Sequence, residues 1–305
     1  MPKSYSVQSV GIALVVAAAV AWSTAPVFVR LLAFDSWTIV FWRSVFAGCF
    51  VGGFLLFTQG RQGLKDLLWM QRRGWLFAVL STIGMIAFIP ALQLTSAANV
   101  AVIGATAPFM AAGLAWVWFG EAPRPRTLLA SAIALAGVAL IVGGATGAGD
   151  IRGIGLTLVM ALAFAAMTAA VRRYRDTSMV AAAAMSNFLG CAVALPFAQG
   201  IGSVTAHDLG LLAAFGGLQV ALGLIFFVFG TRLLPSAQAS LLATLEMPLM
   251  PVWIWLIFSE VPAVHQLIGG AIVLAAVAFD TAGDLRARGS VDEAAKPPLP
   301  SDTLP

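Results

Sequence analysis

The sequence predicts an all-α membrane protein. Ten transmembrane helices are expected, as two inverted five-helix repeats with both termini cytoplasmic. Three observations carry this prediction. Of 305 residues, 60% are hydrophobic and only 10% charged, and the mean hydropathy is +0.95. A soluble domain carries about 25% charged residues, whereas lipid solvates this much apolar side chain. Ten apolar runs have spanning length, and a block near residues 91–123 returns near residues 230–262.

The first copy of that block reads Ala91-Leu92-Gln93-Leu94-Thr95-Ser96-Ala97, then Ala107-Pro108-Phe109-Met110, then Phe119-Gly120-Glu121-Ala122-Pro123. The second reads Gly230-Thr231-Arg232-Leu233-Leu234-Pro235-Ser236-Ala237, then Met247-Pro248-Leu249-Met250, then Phe258-Ser259-Glu260-Val261-Pro262. Pro108 and Pro248 are 140 residues apart, Glu121 and Glu260 139. Arg30 and Arg172, and Cys49 and Cys191, lie 142 apart. An internal repeat in a membrane protein points to a transporter with its site between the halves.

The runs lie near 10–32, 36–58, 74–94, 97–119, 126–145, 153–172, 178–200, 208–230, 236–258 and 264–283. Each suffices to cross a hydrocarbon core about 30 Å thick as a helix. The first, Val10 to Leu32, exceeds the apolar core of a cleavable signal and is taken as an uncleaved span. The second carries Phe41-Trp42-Arg43. Between the third and fourth lies the uncharged turn Thr95-Ser96-Ala97-Ala98-Asn99, echoed by Leu234-Pro235-Ser236 before the ninth. The expected organisation is residues 1–9 as a cytoplasmic N-terminus, 10–145 and 146–285 as the repeats, and 286–305 as a disordered cytoplasmic tail. From Gly289 that tail is polar and proline-rich.

Charge orients the chain. One side collects fourteen of the seventeen basic residues, including Arg61, Lys65, Arg72 and Arg73; the other has only Arg30 and Arg152. Basic residues stay cytoplasmic, so both termini are expected inside. Five helices per copy is an odd number, so the second copy enters from the opposite side and the repeats are inverted. The net charge of +4 and pI near 9.6 reflect these loops. No basic face or motif points to nucleic acid.

These features, with Ala21-Trp22-Ser23-Thr24-Ala25-Pro26-Val27-Phe28 in the first helix, resemble the drug/metabolite transporter superfamily, EamA type, over about residues 10–285. Within it the chain looks most like the YddG-type exporters of aromatic amino acids and other small organic compounds. The resemblance implies a ten-helix bundle in a bacterial-type inner membrane, a cavity lined by helices 1, 3, 4, 6, 8 and 9, alternating access and export of a small-molecule substrate. Another metabolite or a drug-like cation, with uptake or exchange, is the alternative within transport.

Ionisable groups in a bilayer are expensive and need a partner or a role. Glu246 lies midway along the ninth run, with Met250 and Trp253 on the same face and Pro248 and Pro251 below it. It either holds a cationic substrate group or a proton, or pairs with a neighbour such as Arg43. Arg43 either holds helices together, snorkels to the interface, or takes a substrate carboxylate. Asp280 reads as a topological or capping residue. Gly216, Gln219 and Gly223 form a small polar stripe in the eighth run that lines a cavity or lets backbones pack closely.

Asn99, Thr106, Met110 and Gly113 share a face near Pro108. Ser81, Thr82 and Met85 in the third run, and Trp22 and Phe28 in the first, are further candidates for the cavity wall; Asn187 in the seventh reads as a bond to a neighbouring helix. The expected substrate contacts are Glu246, Trp22, Phe28, Ser81, Met85, Asn99, Thr106, Met110, Gln219, Gly223, Met250 and Trp253. The expected hinges are Pro26, Pro90, Pro108, Pro248 and Pro251. Trp37, Trp69, Trp75 and Trp118 fit an interfacial belt.

Cys49 and Cys191 read as buried packing residues, and His207 and His265 as loop residues. No metal-ligand spacing occurs, and no cofactor is expected. An intramembrane enzyme lacks a nucleophile–base pair, and a channel lacks charged rings or a carbonyl filter. Small-residue spacings such as Ala132 to Ala136 permit a monomer or a homodimer.

Overall fold

The structure is a computed structural model and describes residues 2–120, 122–144, 147–174, 178–234, 239 and 242–294. Its elements are α1 (Pro2–Ser23), α2 (Ala25–Leu31), α3 (Ser36–Gln59), α4 (Arg61–Leu68), α5 (Arg72–Leu94), α6 (Ala97–Gly104) and α7 (Ala107–Phe119). There follow α8 (Pro125–Gly143), α9 (Ala148–Arg173), α10 (Met179–Ala194), α11 (Ala206–Ala214), a π-helical segment Phe215–Leu222, α12 (Gly223–Arg232), α13 (Glu246–Phe258) and α14 (Val264–Ala294). No strand occurs among the described residues.

Among the described residues, seven segments are long and apolar enough to cross a membrane: Val7–Leu31, Ser36–Gln59, Arg72–Leu94, Ala97–Trp118, Pro125–Gly143, Ala148–Ala170 and Ala206–Arg232. Met179–Ala194, Glu246–Phe258 and Val264–Asp280 are shorter apolar helices. The seventh predicted run reaches 200, but α10 stops at Ala194 because Pro196 cannot continue a helix. The tail expected to lack structure from 286 is helical to Ala294. Leu285, Arg286, Ala287 and Arg288 favour helix, and the next proline is Pro297. Residues 295–305 lie outside the described residues.

Side chains set the helix starts. Asp35 Oδ1 accepts from the amides of Trp37 and Thr38, both at 3.0 Å, and caps α3. Ser96 Oγ accepts from Asn99 N at 3.1 Å and separates α6 from α5, at the uncharged turn named above. Thr205 and Asp208 exchange a capping box before α11. The duplication recurs at helix ends: Gly120 (φ 72°) closes α7 and Ser259 (φ 56°) closes α13, both left-handed.

The packing repeats the duplication. Contacts of α5 with α9 are matched by α12 with α1, α5 with α10 by the π segment with α3, and α7 with α9 by α13 with α1. The pairs α3–α10 and α8–α14 map onto themselves. Glycines make the closest crossings. A Cβ on Gly137 would lie 2.8 Å from Gly269 O, and one on Gly269 2.8 Å from Gly137 O. Gly137→Ala should therefore lower stability by about 1–3 kcal/mol through overpacking. Gly113→Ala, with nothing within 4 Å, is the matched control. Thermal unfolding in detergent checks the difference; equal midpoints would contradict the packing.

Cys49 departs from expectation: it is exposed, and Cys191 is intermediate. On α3 the inward face carries Gly48, Val51 and Gly52, which turns Cys49 outward. There a small apolar thiol is cheap. His207 and His265 stand in the first turns of α11 and α14, not in loops.

Candidate functional site

Three helices break where proline removes a backbone donor. The first span turns at Thr24, whose Oγ1 donates to Ala21 O at 2.6 Å, with Pro26 two residues on. The fourth turns at Ala105–Thr106, whose Oγ1 donates to Ile103 O at 2.6 Å, with Pro108 two residues on. α13 begins at Glu246 after the turn at Thr244–Leu245, with Pro248 two residues on. A proline ring clashes with the carbonyl four residues back, so the break falls before it. Pro90 and Pro251 instead lie inside α5 and α13.

The broken ends are neighbours. α13 packs on α1, α2 and α6, and a Cβ on Gly104 would lie 3.2 Å from Met247 Sδ. Glu246 occupies the first turn of α13, where the helix N-terminus favours a negative charge. It is partly buried, and its carboxylate has no hydrogen-bond or ion-pair partner among the described residues. The expected alternative of a pair with Arg43 is not formed. Its counterpart in the duplication is Thr106, a neutral residue bonded within its own turn.

Further along α13, Met250 is buried and Trp253 Nε1 donates to Ser23 Oγ at 2.9 Å. The neighbouring Trp22 accepts at its carbonyl from Gln219 Nε2 at 3.0 Å and packs its ring 5.2 Å from Phe227. Gly223 lies under that indole, where a Cβ would meet Trp22 Nε1 at 2.5 Å. Gly216 receives the α3 backbone, where a Cβ would meet Arg43 O at 2.6 Å. Both glycines of the stripe thus serve close packing.

Arg43 is 7% exposed, so it does not snorkel. Its guanidinium lies over Phe215, 5.0 Å from the centroid, and Phe215 stacks on Phe28 at 4.9 Å. Nε and Nη1 are buried without partners. An Arg at the centre of a membrane helix costs about 2.5–3.5 kcal/mol, and a desolvated cation–π contact returns about 2. The Gln219 side-chain oxygen and the indole nitrogen of Trp42 are likewise buried and unpartnered.

Several of the remaining polar candidates form ties between helices, whereas Asn187, expected to bond a neighbouring helix, bonds within its own. Ser81 Oγ donates to Ser186 Oγ at 3.2 Å, and Ser44 Oγ donates to Met85 Sδ at 3.6 Å. Asn99 is 1% exposed: Nδ2 donates to Thr95 Oγ1 at 2.8 Å, and Oδ1 accepts from Gln266 Nε2 at 3.0 Å. Thr127 Oγ1 donates to Asp280 Oδ1 at 2.8 Å, so Asp280 joins α14 to α8. Asn187 Nδ2 bonds Ala183 O within its own helix at 2.8 Å. Met110 is partly buried near the start of α7.

Arg30 Nη2 and Glu260 Oε2 form an ion pair at 2.7 Å, each side chain 47% exposed. It ties the end of α2 to the loop after α13. In the duplication its counterparts are Arg172 and Glu121; Glu121 and the Arg172 side chain lie outside the described residues, as do Pro235 and Ser236.

Two apolar grooves open between helices. One of about 470 Å³ lies among α6, α13 and α14, against Pro248, Pro251, Trp255 and Pro262. The other, about 610 Å³, lies among α3, α5 and α9, against Asp35, Trp37, Pro90 and Gln93. Neither is lined by Glu246 or Arg43. Sequence reasoning missed the π segment, Phe215, Trp42 and Ser23.

The EamA-like transporter family matches the chain twice, over residues 9–143 and 151–280. An uncharacterized transporter of Archaeoglobus fulgidus is 28% identical over 269 residues, covering 88% of this chain and 94% of the relative. A solved structure, described only as the crystal structure of a protein, has TM-score 0.62 and 17% identity, covering 90% of this chain and 96% of the other. That likeness concerns fold alone. With the family model matching most of its length, the chain belongs to the EamA-like transporter family.

Proposed function

We propose that this protein exports small organic metabolites across the inner membrane, aromatic amino acids foremost, by alternating access at one site between inverted halves. In this reading both termini lie in the cytoplasm, on the side that collects the basic residues. The observation that carries this reading is Glu246. It is a carboxylate without a partner among the described residues, at the head of a half-helix packed on two other proline-broken helices. A charge in that setting needs a counter-ion, and the ammonium of a substrate or a proton provides one. Trp22, Phe28 and Trp253 on the same helices give flat surfaces for an aromatic side chain. The breaks at Thr24, Thr106 and Leu245 concentrate bending where the halves meet.

The test is flux of labelled L-phenylalanine in proteoliposomes. Saturable flux, competed by L-tryptophan more strongly than by L-alanine, is expected. Absence of saturable flux for every aromatic amino acid would contradict the substrate class. Stronger competition by an aromatic cation without a carboxylate would favour a drug-like cation.

A further inference from the structure

We infer that Arg43 holds the carboxylate of the transported molecule. This rests on the transport reading above and adds a second binding group, distinct from Glu246. The burial of Arg43 excludes a surface role, and no described acidic residue pairs with it. One face lies over the Phe215 ring, and two nitrogens, Nε and Nη1, are buried and unbonded. Nε and Nη1 lie on different edges of the guanidinium, so each edge keeps an unbonded donor for a carboxylate oxygen.

The duplication argues against a framework role. Residues 43–49 read Arg-Ser-Val-Phe-Ala-Gly-Cys, and residues 185–191 read Met-Ser-Asn-Phe-Leu-Gly-Cys. Serine, phenylalanine, glycine and cysteine recur, while Arg43 is replaced by Met185. The contact of α3 with the π segment, where Arg43 lies over Phe215, is matched by α10 with α5, where the equivalent position carries no charge. The π segment that carries Phe215 also carries a second unfilled group. Gln219 follows Phe215 by one turn and keeps a buried, unpartnered oxygen. An acceptor near a cation suits a molecule that carries an N–H as well as a carboxylate, as an amino acid does.

The experiment is equilibrium binding to the full-length protein in detergent, with labelled 3-phenylpropionate, which has the carboxylate alone, and labelled phenethylamine, which has the amine alone. The wild type is expected to bind both saturably. Arg43→Gln should weaken 3-phenylpropionate about 10- to 100-fold and leave phenethylamine unchanged. Arg43→Lys keeps the charge without the fork; it should weaken the carboxylate several-fold, and it serves where the glutamine variant does not fold.

Unchanged carboxylate binding in both variants would overturn the assignment. So would equal loss of both compounds, or a wild type that binds only the amine. Binding is read without flux. A protein that binds 3-phenylpropionate through Arg43 yet moves no solute would therefore overturn the transport reading and leave this assignment standing.

Discussion

Glu246→Gln is expected to lower flux of an amino acid by about 30- to 5000-fold. Removing one partner of a desolvated charge pair costs about 2–5 kcal/mol. The substitution keeps the shape of the side chain and removes only its charge. Because Glu246 has no partner among the described residues, no ion pair is lost from the fold. The unfolding temperature should stay level or rise, since a lone charge within a membrane helix is itself a cost. Loss of flux with unchanged stability would mark Glu246 as a working group. Unchanged flux would make it structural and remove the cation site from the mechanism.

Bridging positions 30 and 260 should stop transport completely. Arg30 and Glu260 join the end of α2 to the loop beyond α13, elements whose relative motion a rocking mechanism requires. The long side chains of the pair make a direct disulfide an unsuitable bridge. A short bis-thiosulfonate reagent between Arg30→Cys and Glu260→Cys would span them, with Cys49 and Cys191 replaced by alanine because Cys49 is exposed. Flux should fall to background on bridging and return on reduction. The ion pair itself is half-exposed and contributes about 0–1 kcal/mol, so Arg30→Ala alone should change flux less than about fivefold. Full flux in the bridged protein would exclude movement at this end.

Much of this was legible in the sequence because it rests on local chemistry. The breaks at Thr24 and Thr106 follow from Pro26 and Pro108, and the start of α6 from Ser96. The duplication was readable as spacing, and the helix contacts reproduce it. What was not legible depends on which way a side chain turns. A helix apolar on every side has no periodicity to separate lipid from interior. Cys49 therefore read as buried and is exposed, while Arg43 could not be assigned between interface and interior. The π segment was hidden because a helical stripe assumes 3.6 residues per turn. Asn99 was placed on a cavity face, yet it forms a tie between Thr95 and Gln266. Only the tertiary approach of α14 supplies that partner.

The central claim is that one site is exposed alternately to the two sides of the membrane. Counterflow tests it most directly. Liposomes containing the protein are loaded with unlabelled L-phenylalanine and diluted into a trace of labelled L-phenylalanine. A single alternating site predicts a transient accumulation of label above its equilibrium level, absent in Glu246→Gln. Label that enters only to equilibrium, at a rate proportional to its concentration and indifferent to the internal load, would contradict it and describe an open pore.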